Sequence, residues 1–258
     1  MPRVHPTAIV EGGATLADDV EVGAYSFVGA DVVLGAGVRV DPHAVVTGHT
    51  RVGEGTRIFS FACVGGEPQD KTFDGGPTRL EIGRDNVIRE HVTIHVGTSR
   101  GGGCTRTGDD NMIMNGAHIA HDCQIGSHCI IASFTGLAGH VTVGDHAVLG
   151  AYTGVHQFSR VGESVMAASN AKLSQDAPPF SMVAGDRARL VGVNSVGLRR
   201  RGLEPEAIRK IKHAFHILFN SRLRLEPALA RVRDEVSGSP EVERLLTFLE
   251  KSERGFCR

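Results

Sequence analysis

The stretch "VEVGAYSFVGADVVLGAGVRV", Val20 to Val40, returns a branched aliphatic residue at every sixth position: Val22, Val28, Leu34 and Val40. Glycine follows three of these, as Gly23, Gly29 and Gly35. Four residues after each aliphatic stands a small or β-branched residue: Ser26, Val32, Val38 and Ala44. The same step runs back through Leu16 and Val10 to Val4 and forward through Val46, Val52 and Ile58 to Val64. It resumes at Ile82, Ile88 and Ile94, then runs unbroken from Ile113 to Val161, with a last echo at Leu173. A strand alternates every second residue and a helix repeats every 3.6, so neither alone selects each sixth position over such a distance. A sustained hexad is the pattern of a parallel β-helix, in which each short strand stacks on the coil beside it.

This hexad resembles the left-handed β-helix of the hexapeptide-repeat acyltransferases. The resemblance implies three hexads per triangular coil, with residues 18 apart stacked at the sheet spacing of about 4.8 Å. The aliphatic residue and the small one four later would then face inward, and the remainder outward. The pattern pauses near residues 66–80 and 99–106, which are expected to leave the prism as loops, and long loops on a regular scaffold commonly carry function.

Composition agrees with many short strands and tight turns: 33 glycines, no tryptophan and few aromatics. Five scattered cysteines without a C-x-x-C pair suit reduced thiols and a cytoplasmic location. The opening "MPRVHPTAIV" lacks a signal-peptide pattern. No apolar run reaches the roughly 18 residues of a membrane span.

Beyond Pro178-Pro179 the hexads end, and after Leu198 helix formers dominate, with Ser239-Pro240 reading as an N-cap followed by proline at the first helical position. The chain is therefore divided into a β-helical domain, 1–190, and a C-terminal helical domain, 191–258. Residues 198–258 hold 14 Lys/Arg and 9 Asp/Glu, a net of +5, which leaves −6 on the rest. A basic helical cap on an acidic solenoid covers an open end and suits an anionic ligand or partner. No nucleic-acid partner is expected.

"NGAHIAHDCQIG", Asn115 to Gly126, sets two histidines inside the repeat. His121 lies two residues after inward Ile119, His118 five after Ile113, His140 three after Leu137 and His156 one after Val155. None holds an inward slot, so all four project from the prism. Stacking by 18 aligns His121, Gly139 and Gln157 in one column, with His118, His140 and His156 around it. One histidine as general base and a backbone N–H for an oxyanion suit acyl transfer. Asp122 stands ready to fix the tautomer of His121.

Seven segments carry a closer likeness: "HPTAIVEGGA" (5–14), "GEPQDKTFDGGPTRLEIG" (66–83), "TIHVGTSRGGG" (93–103), "AHIAHDCQIG" (117–126), "LAGHVTVGD" (137–145), "GVHQF" (154–158) and "GVNSVGLRRRG" (192–202). In order and over essentially the whole chain, they resemble the UDP-N-acetylglucosamine O-acyltransferases of lipid A biosynthesis. The resemblance implies a homotrimer with shared sites that moves a 3-hydroxyacyl chain from acyl carrier protein to the sugar 3-hydroxyl. It implies no metal and no cofactor beyond the phosphopantetheine that carries the acyl donor. His121 matches the general base, Asp122 its orienting carboxylate and Gly139 the oxyanion donor. His118, His140, His156 and Gln157 match contacts to sugar nucleotide or acyl donor, and Asp70 a contact to the glucosamine ring. Asn194, Arg200 and Arg201 match uridine and diphosphate contacts, and guanidinium forks suit phosphate on physical grounds. Three positions depart from the family pattern. Lys71 stands one residue before the expected lysine, where Thr72 now sits, Val196 replaces a carboxylate, and Ser169 occupies the gauge of acyl length.

Other readings are the N-acylation of a 3-amino UDP-sugar by the same residues, and a non-catalytic solenoid. A third is a zinc enzyme resembling γ-class carbonic anhydrases, drawing ligands from His91, His95, His118 and His121.

Overall fold

The computed structural model describes residues 1–258 and bears out the left-handed β-helix with a C-terminal helical part. Three sheets of eleven, nine and eight strands form its faces, parallel except for the last pair of the first, and each parallel strand pairs with one from the next coil. The first face begins at Arg3–Val4, the second at Ile9–Val10 and the third at Thr15–Leu16. Most strands are only two residues long, because the chain turns a corner after every hexad. Val22, Val28, Leu34 and Val40 are at most 3% exposed, and Val32, Val38 and Ala44 are fully buried. Both inward positions of the hexad therefore build the core, a single stack of aliphatic side chains along the axis.

Most corners carry a residue in the left-handed region, and many of these are not glycine: Tyr25 at φ 57°, His43 at 62°, Phe61 at 65° and His91 at 59°. This conformation is uncommon for such side chains. Stacking offsets part of the cost, because these four rings form a continuous exposed ladder with centroids 5.2 Å apart. Tyr25, His43 and Phe61 stand 18 apart, so the period itself aligns three of the four rings, and His91 joins them across the first excursion.

The two pauses lengthen particular coils. Ile58 pairs with Ile88 and Ile94 with Ile119, whereas regular coils pair Ile113 with Ile131. Residues between the strands Cys63–Gly66 and Arg79–Ile82 form the first excursion. The second is shorter than expected. A 3₁₀ turn spans Ser99–Gly101, and Cys104–Thr107 is already a strand paired with Arg79–Ile82. Residues 104–106, expected in the loop, lie in the third face because its backbone ladder resumes there.

At the far end Ser181–Ala184 and Arg189–Val193 close the first face as an antiparallel pair, so the last strand runs across the expected division at residue 190. Helices Ser195–Arg200, Pro205–Phe215, Leu225–Glu235 and Pro240–Glu250 then enclose a second core that includes Phe180. Ser239 caps the last of them by accepting from the Val242 N–H, as its sequence position predicts. The cap is tied back to the solenoid. Ser252 Oγ donates to Asp176, the Cys257 N–H donates to the Asp176 carbonyl, and Arg160 donates to the Lys251 carbonyl. All five cysteines are free thiols. No helix is long and apolar enough to cross a membrane.

Candidate active site

The corner between the second and third faces gathers the histidines. His118 stands in a register column on the second face, between Thr93 and Gly136, and His121 and Asp122 form the following turn. The column of His121, Gly139 and Gln157 exists as the period of 18 predicts. The His140 N–H donates to the His121 carbonyl, and the Phe158 N–H to that of Gly139.

Asp122 anchors the cluster. Its side chain is fully buried, and its carboxylate accepts from the Thr98 N–H at 3.0 Å and the Thr98 hydroxyl at 2.6 Å. Its own N–H donates to Thr105 Oγ1 at 2.7 Å. Thr98 of the second excursion therefore holds this carboxylate in place, and Thr105 of the third-face strand fixes the backbone beneath it, tasks that sequence reading missed. Thr98 and Asp122 lie too far apart in the chain for any local motif to link them.

The carboxylate accepts from His121 Nδ1 at 2.8 Å. An acceptor there puts the ring proton on Nδ1 and leaves the Nε2 lone pair free. Nε2 lies beside Gly139, where a Cβ would come 2.7 Å from it and 2.5 Å from Cε1. Only glycine allows that approach. The Gly139 N–H donates to no acceptor in the protein, so a basic nitrogen and a free backbone donor stand side by side.

His140 meets His121 edge-on with centroids 5.1 Å apart and stacks on Phe158 at 4.4 Å. Its pKa is lowered by burial, against the pull of Asp122. His118 Nδ1 is hydrogen-bonded to Thr93 Oγ1 at 2.7 Å, and burial lowers its pKa as well, helped by His121. His95, which sequence reading noted only as a candidate metal ligand, lies edge-on to His118 at 4.9 Å. Burial, followed by the neighbouring His118 and His121, pushes its pKa down to about 4, and its Nδ1 has no partner.

His95 couples the site to acid stability. A histidine whose folded pKa is depressed favours the neutral form, so its contribution is complete above the ordinary 6.5 and is lost as pH falls toward about 4. The loss expected across that window is on the order of 3 kcal/mol. Chemical unfolding at pH 7 and pH 5 tests this: His95→Leu should flatten most of the difference, and an equally steep decline in the variant would assign it to other groups.

The remaining sequence candidates divide. Asp70, in the first excursion, accepts from the N–H and hydroxyl of Thr72, which lower its pKa, and lies close enough for its charge to act on His140. Lys71 beside it is exposed. His156 and Gln157 occupy the next coil of the same corner, with His156 Nδ1 3.3 Å from the Arg254 guanidinium. Asn194 and Arg201 stand apart from the histidines. Asn194 caps a helix through the Gly197 N–H and donates to the Ser164 carbonyl. Arg201 pairs with Glu163 at 3.0 Å and with Ser164 Oγ at 2.8 Å. With Arg244 and Arg106 it lines a separate groove of about 660 Å³ on the third face. Arg200 is exposed on the same short helix. Ser169 lies at the corner between the first and second faces.

The four histidines considered for zinc are not gathered, since His91 belongs to the aromatic ladder at that other corner. His121, Asp122 and His140 do bring possible ligand atoms within 4.8 Å, but Asp122 is already engaged by Thr98 and His121.

A parallel β-helix with an imidazole–carboxylate pair and a free N–H on its corner defines a hexapeptide-type group transferase, and a family model described as bacterial transferase hexapeptide matches residues 104–139. A second, described as UDP-N-acetylglucosamine O-acyltransferase, domain 2, matches residues 176–257. The acyl-[acyl-carrier-protein]–UDP-N-acetylglucosamine O-acyltransferase of Thermodesulfovibrio yellowstonii is 43% identical over the full length of both chains. That of Herminiimonas arsenicoxydans is 48% identical, also over all of both chains. The solved structure of the UDP-N-acetylglucosamine acyltransferase of Bacteroides fragilis superposes with a TM-score of 0.96 at 38% identity, covering 98% of this chain and 99% of that one. This chain belongs to the UDP-N-acetylglucosamine O-acyltransferase family.

Proposed function

We propose that this protein transfers a 3-hydroxyacyl chain from acyl carrier protein to the 3-hydroxyl of UDP-N-acetylglucosamine, the first step of lipid A biosynthesis. The observation that carries the mechanism is the His121–Asp122 pair beside the free Gly139 N–H. His121 Nε2 takes the proton of the sugar hydroxyl as its oxygen attacks the thioester carbonyl. The Gly139 N–H donates to the oxyanion that forms. That attack forms the new C–O bond; collapse of the oxyanion re-forms the carbonyl and breaks the C–S bond, and the proton held by His121 passes to the departing thiolate.

Burial that keeps His118 and His140 neutral supports a role for both as hydrogen-bonding groups toward uncharged atoms of the substrates. Asp70 overhangs this corner and suits the sugar hydroxyls. Three guanidinium groups, Arg201, Arg244 and Arg106, line that groove together with Glu163 and Asp145, and a diphosphate can take over the arginines from their carboxylate partners, with Asn194 and Arg200 at the two ends of the helix that leads to Arg201. Because one chain leaves Asn194 and Arg201 bound to their own neighbours and apart from the histidines, a complete site calls for a second copy to present them, and a cytoplasmic homotrimer supplies three such junctions. An active monomer in solution would refute the shared site.

The reaction itself is tested by incubating the protein with UDP-N-acetylglucosamine and a panel of 3-hydroxyacyl carrier proteins, with products weighed by mass spectrometry. One O-acylated sugar nucleotide is the expected product. Acylation of a 3-amino UDP-sugar alone would replace the hydroxyl acceptor by an amine.

A further inference from the structure

Hydrogen bonds from Thr98 and His121 converge on one oxygen of the Asp122 carboxylate. Thr98 is only 5% exposed. Its hydroxyl donates to Asp122 Oδ2 at 2.6 Å, and its N–H lies 3.0 Å from Oδ1 and 3.1 Å from Oδ2. The hydroxyl is not free to turn elsewhere, because it accepts the Gly101 N–H at 3.1 Å and so directs its own proton at the carboxylate. Oδ2 is also the oxygen that accepts from His121 Nδ1 at 2.8 Å, and His140 Nε2 stands 3.9 Å from it. An ionised carboxylate oxygen offers about two acceptor sites, and Thr98 and His121 fill them.

The turn that carries Thr98 is braced from two sides. Ser99 Oγ donates to Asp74 of the first excursion at 3.1 Å, and the Gly97 N–H donates to the Arg79 carbonyl at 3.2 Å. At residue 101 a Cβ would overlap the Asp122 carboxylate, so the turn closes onto it only with glycine there. Such a grip has an electrostatic consequence. A hydrogen bond to a carboxylate stabilises its ionised form, so a carboxylate already satisfied by Thr98 pulls less strongly on the imidazole proton.

We propose that Thr98 is a positioning residue for the transfer, and that through Asp122 it sets the pH range in which His121 acts as a base. The proposal rests on the acyl-transfer reading above and adds the group that governs its base. A buried carboxylate with no other donor holds an imidazolium firmly, and an imidazolium cannot take the proton of a hydroxyl. Thr98 leaves Asp122 enough attraction to fix the tautomer without making the imidazolium the resting form. The other ionisable groups around the ring are driven away from this window. Burial lowers His118, His140 and His95, the Thr72 hydrogen bonds lower Asp70, and burial raises the Cys104 thiol. Arg100, exposed on the turn, keeps its charge throughout.

The test is the profile of kcat/KM from about pH 6 to 9 for the unaltered enzyme, Thr98→Val, Thr98→Ser and Thr98→Cys. Thr98→Val removes the hydroxyl and keeps the N–H and the branched shape. Its acid limb should move about one unit to higher pH, a loss of up to about tenfold on the limb and less than about twofold at pH 9. Thr98→Ser should restore the limb, and Thr98→Cys, with a weaker donor, should fall between the two. In a His121→Ala background, Thr98→Val should no longer move the profile of the residual activity. Melting curves show which variants fold; should Thr98→Val not fold, the order of the serine and cysteine replacements decides the matter. A loss of equal size at every pH, a serine replacement no better than valine, or an effect that persists without His121 would make Thr98 a structural residue only. An unmoved limb at normal turnover overturns the role of Thr98 and leaves the reaction standing. Absence of product from the unaltered enzyme would sink the reaction, and this role with it.

Discussion

His121→Ala is expected to lower turnover by at least about 10²-fold, the usual contribution of a positioned general base. The side chain is only 15% exposed, yet it belongs to a corner and not to the core. Ile119 and Cys123 on either side fill the interior and are fully buried. Alanine at 121 therefore removes the base without opening a cavity, and the melting temperature should change little. The deficit should fall in kcat, because the lost proton transfer is felt only as the hydroxyl attacks. Raising the pH should restore part of the rate if hydroxide can substitute for the imidazole. Turnover within a few-fold of the unaltered enzyme would remove His121 from this role.

The second large effect is expected from Gly139→Ala, a change of one methyl group that keeps the proposed N–H donor. An added Cβ would meet the His121 ring at 2.5 Å from Cε1 and 3.2 Å from Nδ1. The ring cannot yield toward Asp122, because that carboxylate is fixed by Thr98 and the Thr105 hydroxyl accepts from the Asp122 N–H. It must rotate away and give up its alignment. Displacements of about 1 Å at a reacting group cost on the order of 10²-fold, so kcat should fall by about that factor. The inward neighbours Leu137 and Val141 are untouched and fully buried, which predicts a normal fold. Full activity in this variant would mean that the reaction does not use the imidazole where it stands.

The repeat made both the prism and the histidine column readable before any coordinates. Its regularity converts spacing directly into direction and neighbourhood, so Ile119 inward and His121 beside Gly139 follow from counting. Counting fails where coils are interrupted. Thr98 reaches Asp122 across an excursion, and His95 is buried by the same irregular coil; neither has a partner at a repeat distance. Lys172 pairs with Gly154 in register, but its stem folds back to donate to the Tyr152 carbonyl by a choice of rotamer, which a period cannot reveal. Resemblance supplied Asn194, Arg200 and Arg201, yet Arg201 is bound to Glu163 and Asn194 caps its own helix. A single chain does not bring them to the histidines. Likeness transfers residue identities; it does not say which copy presents them.

The two ends of the prism are unequal, and that bears on how the molecule comes apart. At the start of the chain Val4 is 40% and Ile9 is 59% exposed, with Ala8, Val10 and Leu16 only partly covered. The opposite end is sealed by four helices with their own core. In a stack where each coil leans only on its neighbours, opening begins at whichever end has no neighbour to lose. Backbone amides should therefore exchange with solvent in a gradient, fastest in the first coil and slowest beneath the helices. The histidine corner lies in the protected half, so the chain can fray for several turns before its chemistry is disturbed.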